Sequence, residues 1–327
     1  MAGKTETLPP GRKKPSSKSG ELVVEGKHLP VSNLDKVLYP QTGFTKGQVI
    51  DYYIRVSKFL LPHLKDRPLT LKRYPDGVEG AYFYEKRCPP YRPKWFKTAR
   101  VWSERQKEPI DFCVINNLPS LVWAANLADL ELHTLLSKSP NAKRPTMMVF
   151  DLDPGPPADI LNCVRVAFLL KEMLERMKLK SFPKTTGSKG LQLYVPLNTP
   201  TGYEATKPLA RAMAEILTRG YPDEIVFDMK KELRTGKVLV DWSQNDFHKS
   251  TVCVYSLRAK SSPTVSTPVS WEELAKVQKS RKKEQLIFET EDALERVEKM
   301  GDLFAPVLTL KQKLPKWDAL ALEDLST

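Results

Sequence analysis

Apolar runs are short throughout this sequence. None approaches the ~18 consecutive residues of a membrane span, and the opening MAGKTETLPPGRKKPSSKSG lacks the apolar core of a secretory signal. Cysteine is scarce, four in 327 residues, and Cys88, Cys113, Cys163 and Cys253 form no CxxC pair. That excludes a zinc ribbon and makes a disulfide scaffold implausible at this size; buried or free thiols in a reducing cytoplasm are expected. The histidines His28, His63, His133 and His248 make neither HxxxH nor HExxH, so there is no zincin signature. GxGxxG and GxxxxGK[ST] are missing too, which removes the dinucleotide and P-loop signals. Negative charge is the minority: 39 Asp and Glu face 52 Lys and Arg, a net charge of +13 that favours an anionic partner, nucleic acid first.

What is present points to a large core. Hydrophobic residues make up 41% of the chain, too many for a disordered polymer. Residues 1–20 read as a flexible basic tail, residues 21–312 as one catalytic domain with two lobes, and residues 313–327 as a C-terminal tail. Thr45 caps a helix through VIDYYIRVSKFLL that Pro62 should limit. PLTLKRY and GAYFYEKR read as strands joined by the turn PDG, and DFCVIN as another strand. Ser120 to Leu136 has helical spacing. TMMVFDLDP is a buried strand, ILNCVRVAFLLKEMLERM an apolar-striped helix, GLQLYVPL a strand, ATKPLARAMAEILTRG a helix and KVLVDW a strand. The mixture predicts a mixed α/β (α+β) sheet enzyme rather than a doubly wound fold.

The chemistry starts at FDLDPG. Asp151 and Asp153 stand two apart on a strand, so their carboxylates share one face while Leu152 points into the core. Paired carboxylates repel unless a cation neutralises them, and Mg²⁺ or Mn²⁺ takes such oxygen ligands. A solvated strand-end turn explains DxDPG as well. Asp241 ends the apolar run KVLVD; beside the first pair it would complete a two-metal site for phosphoryl or nucleotidyl transfer. A lone DxD also suits a glycosyltransferase that binds a nucleotide-sugar diphosphate through a metal. In TTGSKGLQLYVPL, small residues and Lys189 precede a strand, as in a loop that cradles phosphate; an ordinary turn accounts for it equally.

NLDKVLYP, TKGQVIDYY, LKRYPDG, FYEKR, NLADLELH, FDLDPG, TGSKGL, LRTGKVLVDWSQN and YSLRA occur in this order. From about Glu21 to Pro306 the sequence resembles the polymerase module of bacterial DNA ligase D, in the archaeo-eukaryotic primase superfamily. The resemblance implies a two-lobed primase-polymerase fold whose central mixed sheet carries the metal site. It implies metal-dependent, template-directed nucleotidyl transfer at broken or gapped DNA ends. Two Mn²⁺ or Mg²⁺ ions would act with NTP or dNTP as substrate. Asp151, Asp153 and Asp241 match the metal carboxylates. Lys72, His133, Thr186, Lys189, Gln192, Arg234, Gln244 and Arg258 match residues around the nucleotide. Phe83 and Tyr84 match an aromatic pair, one of which stacks on the base. Without the resemblance His133 would read as a structural helix histidine, and Phe83 and Tyr84 as a core pair. Lys36 and Lys46 match a pocket for the 5′-phosphate of the downstream strand.

Two positions depart from the family pattern: Thr186 stands where Ser is common, and Gln192 where His is common, which removes a cationic group. No KxDG-type ligase motif occurs, so the sequence reads as an excised module or a stand-alone homologue. It would act in end joining or excision repair, with priming as a further activity and a separate ATP-dependent ligase and Ku as partners, in the bacterial cytoplasm at the nucleoid. The alternative is a DNA-end-binding module with weakened catalysis.

Overall fold

The computed structural model describes residues 19–104 and 106–316; most of both expected tails lies outside them. Strands β1 (Ser19–Val24) and β2 (Lys27–Ser32) form one antiparallel hairpin. Strands β3 (Val37–Tyr39) and β4 (Phe44–Thr45) form a second, leading into helix α1 (Lys46–Leu64). Thr45 caps α1 as expected: its hydroxyl accepts from Gln48 N, and Gln48 Oε1 accepts from Thr45 N. Pro62 does not end the helix but sits within its last turn.

Next come β5 (Leu69–Arg73), β6 (Phe83–Glu85), β7 (Thr98–Ser103), β8 (Glu108–Cys113), α2 (Leu118–Asn126) and β9 (Asp129–Leu135). The expected helix from Ser120 to Leu136 is therefore half right. It stops at Asn126, Ala128 takes a left-handed φ of 57°, and the chain re-enters a sheet. His133 is a strand residue. The cysteines also differ from expectation, because Cys88 and Cys113 are joined in a disulfide; Cys163 and Cys253 are buried free thiols.

The second half contains β10 (Met147–Pro154), α3 (Ile160–Arg176), β11 (Phe182–Thr185), β12 (Leu191–Pro196), α4 (Tyr203–Gly220), β13 (Ile225–Val226), β14 (Val238–Asp241) and β15 (Ser250–Val252). Helices α5 (Trp271–Ser280), α6 (Thr290–Met300) and α7 (Pro306–Thr309) follow. One sheet runs β15-β9-β5-β8-β7, with β6 also on β5; the other runs β11-β12-β10-β14-β13. Among the described residues only β13–β14 is a parallel pair, so the second sheet is mixed, as expected.

Among the described residues two large hydrophobic cores result, beside a small cluster of Val101, Ile110, Phe112 and Leu135. One gathers Tyr53, Leu60, Leu71 and Leu132 around α1, α2 and the first sheet. The other gathers Phe150, Leu170, Leu193 and Met213 around α3, α4 and the second. Strand β10 serves both. Met148, Phe150 and Leu152 point into the second core, whereas Met147 and Val149 pack into the first. The period of two then brings Asp151 and Asp153 onto the face that packed the first core, at the point where that packing stops. Each buried Leu or Phe here is worth ~1.5–3 kcal/mol, so the strand that presents the carboxylates is held from both sides. No described helix is long and apolar enough to cross a membrane.

Candidate active site

Strand register assembles the carboxylates. Asp151 on β10 stands directly opposite Asp241 on the antiparallel neighbour β14, and Asp153 lies one pleat further along. Ninety residues apart in sequence, Asp151 and Asp241 are cross-strand partners. Burial first, then the charges of Asp153 and Asp241, push the Asp151 carboxyl up to about 8; Asp153 is raised by burial and by Asp241. Asp151 Oδ1 is buried without a hydrogen-bond partner. Asp241 is engaged: Oδ1 accepts from Ser243 N and Oγ (2.8 and 2.6 Å), and Oδ2 from Gln244 Nε2 (2.7 Å). Among the described residues no three His, Cys, Asp or Glu side chains form a ready-made metal cage. The donor set nevertheless fits a hard divalent cation: mutually repelling carboxylates, one with an orphaned oxygen, at the edge of a cleft.

That cleft, about 290 Å³, brings together nine residues singled out from the sequence: Tyr84, His133, Asp151, Asp153, Thr186, Lys189, Gln192, Gln244 and Arg258. Its loop, residues 186–190, is closed by the Thr186 hydroxyl, which accepts from Ser188 N and Gly190 N and donates to Gly190 O. Thr186 thus performs a hydroxyl's task in shaping the turn. Lys189 faces Asp153 and, with Arg234, lowers its pKa against the stronger upward push.

Opposite the carboxylates lies a cationic group built on Glu131, which sequence reasoning missed. This buried carboxylate accepts from Lys72 Nζ at 3.2 Å, His133 Nε2 at 2.9 Å and Ala259 N at 3.0 Å, with Arg258 Nε at 3.3 Å. Those partners hold Glu131 well below the usual carboxylate range despite its burial, while burial lowers His133. The available signal was Glu131–His133 spacing on a strand, but the segment read as helix. Lys72 does not line the cleft; its ammonium sits 4.8 Å from the Tyr82 ring and 5.4 Å from Tyr84.

The aromatic pair is split. Tyr84 is exposed, lines the cleft and meets His133 edge-on. Phe83, its neighbour on β6, points to the other face, over the Arg73 guanidinium at 5.1 Å. Arg234 lines an adjoining cavity that shares Asp153 and Lys189 with the cleft. Lys36 and Lys46 lie apart from the cleft but close to each other, since Lys46 N donates to Lys36 O at 2.8 Å. Lys36 Nζ holds Asp76 at 2.9 Å, and Lys46 Nζ donates to Ser32 O at 2.8 Å. A second residue missed in the sequence, Lys184, lies wholly buried beneath Gln192.

Known proteins resemble this chain over most of its length. The multifunctional non-homologous end joining protein LigD of Mycolicibacterium smegmatis is 36% identical over 279 residues, 85% of this chain and 36% of that protein. LigD of Mycobacterium tuberculosis H37Rv is 38% identical over 256 residues, covering 76% of this chain and 34% of the other. The bifunctional LigD of Bacillus subtilis is 32% identical over 274 residues, 43% of its length. The chain therefore spans about a third to two-fifths of these relatives. The solved polymerase domain of Mycobacterium tuberculosis ligase D, in complex with DNA, superposes with a TM-score of 0.79 at 35% identity, over 86% of this chain and 98% of that one. The profile of the LigD primase-polymerase domain matches residues 45–304. That span runs from the cap of α1 past every carboxylate and cation of the cleft, and the chain belongs to the LigD primase-polymerase domain family.

Proposed function

We propose that the protein is a template-directed nucleotidyltransferase that fills short gaps at broken or excised DNA ends carrying a 5′-phosphate. The observation that carries this reading is the pairing of Asp151 with Asp241 across β10 and β14, with Asp153 alongside, facing an exposed Tyr84 ring and a cationic cluster across one cleft. Asp151, Asp153 and Asp241 would hold two divalent ions, Mn²⁺ or Mg²⁺; such ions, when bound, activate the attacking oxygen and stabilise the leaving one. The primer 3′-oxygen bonds to the α-phosphorus, the α–β anhydride bond breaks, the hydroxyl proton passes to solvent water and pyrophosphate departs.

The chain's own residues supply position. Tyr84 offers a face on which any base can stack. The 186–190 loop and Lys189 take the phosphates, with Arg258 and His133 held in place by Glu131. Gln244, tied to Asp241, lines the cleft that would take the nucleotide; Arg234 approaches from the Asp153 side. Lys36 and Lys46 bind the downstream 5′-phosphate, and residues 21–312 make up the catalytic domain. DNA, NTPs, Ku and a separate ATP-dependent ligase are the partners, at the nucleoid of a bacterial cytoplasm. Ribonucleotides are tolerated in this reading, and a contact to the 2′-OH, left unpaired by a deoxynucleotide, would turn tolerance into preference. Priming is a further activity of this reading.

The test is extension of a gapped, 5′-phosphorylated duplex with each NTP and dNTP, in Mn²⁺ or Mg²⁺. Templated single-nucleotide addition, with NTP as well as dNTP, is expected; no templated addition under either ion overturns the reading. Gln192 favours a second reading, a DNA-end-binding module with weakened catalysis. Single-turnover extension separates the two, since that module would bind gapped DNA and yet add no nucleotide in the first turnover.

A further inference from the structure

Lys184 stands at the head of a row that crosses the second sheet. It is the cross-strand partner of Gln192, Gln192 of Asp151, and Asp151 of Asp241. Partners on antiparallel strands project on the same face, so an ammonium, an amide and two carboxylates follow one another beneath the cleft. Lys184 is fully buried, and its Nζ donates to Gln192 Oε1 at 2.6 Å and to Ser266 Oγ at 2.6 Å. Ser266 Oγ in turn donates to Thr185 O at 2.9 Å, which fixes the serine as an acceptor for the lysine. Burying an ammonium is unfavourable unless its partners repay it, and an apolar residue would fill this place at lower cost.

The chemistry of an amide gives the lysine a use. One end accepts and the other donates. An ammonium can only donate, so Lys184 selects the Gln192 oxygen and turns the NH₂ end the other way. Gln192 stands directly across β10–β12 from Asp151 and draws that carboxyl downward against its burial, while Asp151 Oδ1 stays without a partner. With the amide reversed, its oxygen would face a carboxylate and its NH₂ an ammonium, two repulsions in place of two attractions.

We propose that Lys184 is a positioning residue for Asp151: by fixing the direction of the Gln192 amide it holds that carboxylate with one oxygen left for a divalent cation. The inference rests on the reading of Asp151 as a metal-holding carboxylate. Mn²⁺ binding to the full chain with a non-hydrolysable NTP analogue, read at fixed pH from the electron paramagnetic resonance signal of free Mn²⁺, tests it. Lys184→Met should weaken Mn²⁺ binding roughly tenfold, as loss of a residue that orients a metal ligand does. Its melting temperature should be equal or higher, because a buried charge is gone. Adding Gln192→His to Lys184→Met should restore binding, since imidazole offers its own N–H to Asp151 and has no carbonyl to misdirect. Unchanged Mn²⁺ affinity in folded Lys184→Met, or failure of the histidine to restore it, overturns the inference. A parent protein that adds nucleotides and takes up Mn²⁺ keeps the functional reading intact in either case; one that takes up no Mn²⁺ overturns both.

Discussion

Gly190 is where the loop of residues 186–190 touches the carboxylate strand, and replacing it by alanine should separate the two. A Cβ built there lies 2.0 Å from Leu152 O, between Asp151 and Asp153, and 3.2 Å from Leu152 C. Ordinary van der Waals contact begins near 3.4 Å, so the loop and β10 must part by about 1.4 Å. Both atoms in collision are fixed to backbone, so no rotamer change relieves them. The overpacking should cost ~1–3 kcal/mol of stability, leaving a folded protein. The effect on chemistry should be larger, because a misplacement of ~1 Å at reacting groups is worth about a hundredfold in rate. Nucleotide addition to a gapped duplex, as kcat/KM, is measured beside urea denaturation. Gly220→Ala is the control: nothing lies within 4 Å of its Cβ at the end of α4, and stability should stay within ~0.5 kcal/mol. A Gly190→Ala enzyme within about threefold of the parent in kcat/KM would refute the claim that loop and strand must touch at this spacing.

Asp151→Ala and Asp153→Ala should each abolish nucleotide addition while leaving affinity for gapped DNA nearly unchanged, checked by extension and fluorescence anisotropy on the same preparations. Tyr84→Ala should raise the nucleotide KM by the loss of ~1–3 kcal/mol of stacking, whereas Phe83→Ala should leave that KM nearly alone; equal effects would show that the strand twists to offer both rings. Burial and the neighbouring Lys36 lower Lys46 to about 8, so its charge fades as pH rises through that value. Selectivity for a 5′-phosphate over a 5′-hydroxyl gap should therefore decline from pH 7 to pH 9 at constant salt. In the same window the unfolded lysine still carries its proton, so this group's contribution to stability rises with pH. A flat selectivity profile would detach Lys46 from the phosphate.

Periodicity made the elements legible where burial is one-sided or complete. Helix α3, strand β10 and the cap at Thr45 all follow from local pattern. Asp151 and Asp153 could be placed on one face because a strand has a period of two. The segment after Asn126 defeated the same reasoning. No glycine or proline marks the turn at Leu127–Ala128, and LADLELHTL is buried on both faces, so its apolar spacing mimics a helix. That error hid Glu131, whose role depends on sharing a strand face with His133. Lys184 was hidden differently, since a lysine before a turn reads as solvent-exposed and only the second sheet's packing encloses it. The bond between Cys88 and Cys113 joins a loop to β8 with no local signal.

The order of strands in the first sheet has a consequence for synthesis. Strand β9 lies between β5 and β15, yet β15 enters the chain only after the entire second sheet has been made. Leu135 meets its partner Ser250 about 115 residues later, which at ~5–20 residues per second leaves one edge of β9 bare for roughly ten seconds on the ribosome. An unpaired edge is a template for the wrong strand. The nascent chain thus carries Glu131 and His133 of the cleft on a strand with an open edge until the segment after Asp241 closes it, and slow translation between residues 136 and 249 should increase the demand for a chaperone that covers it.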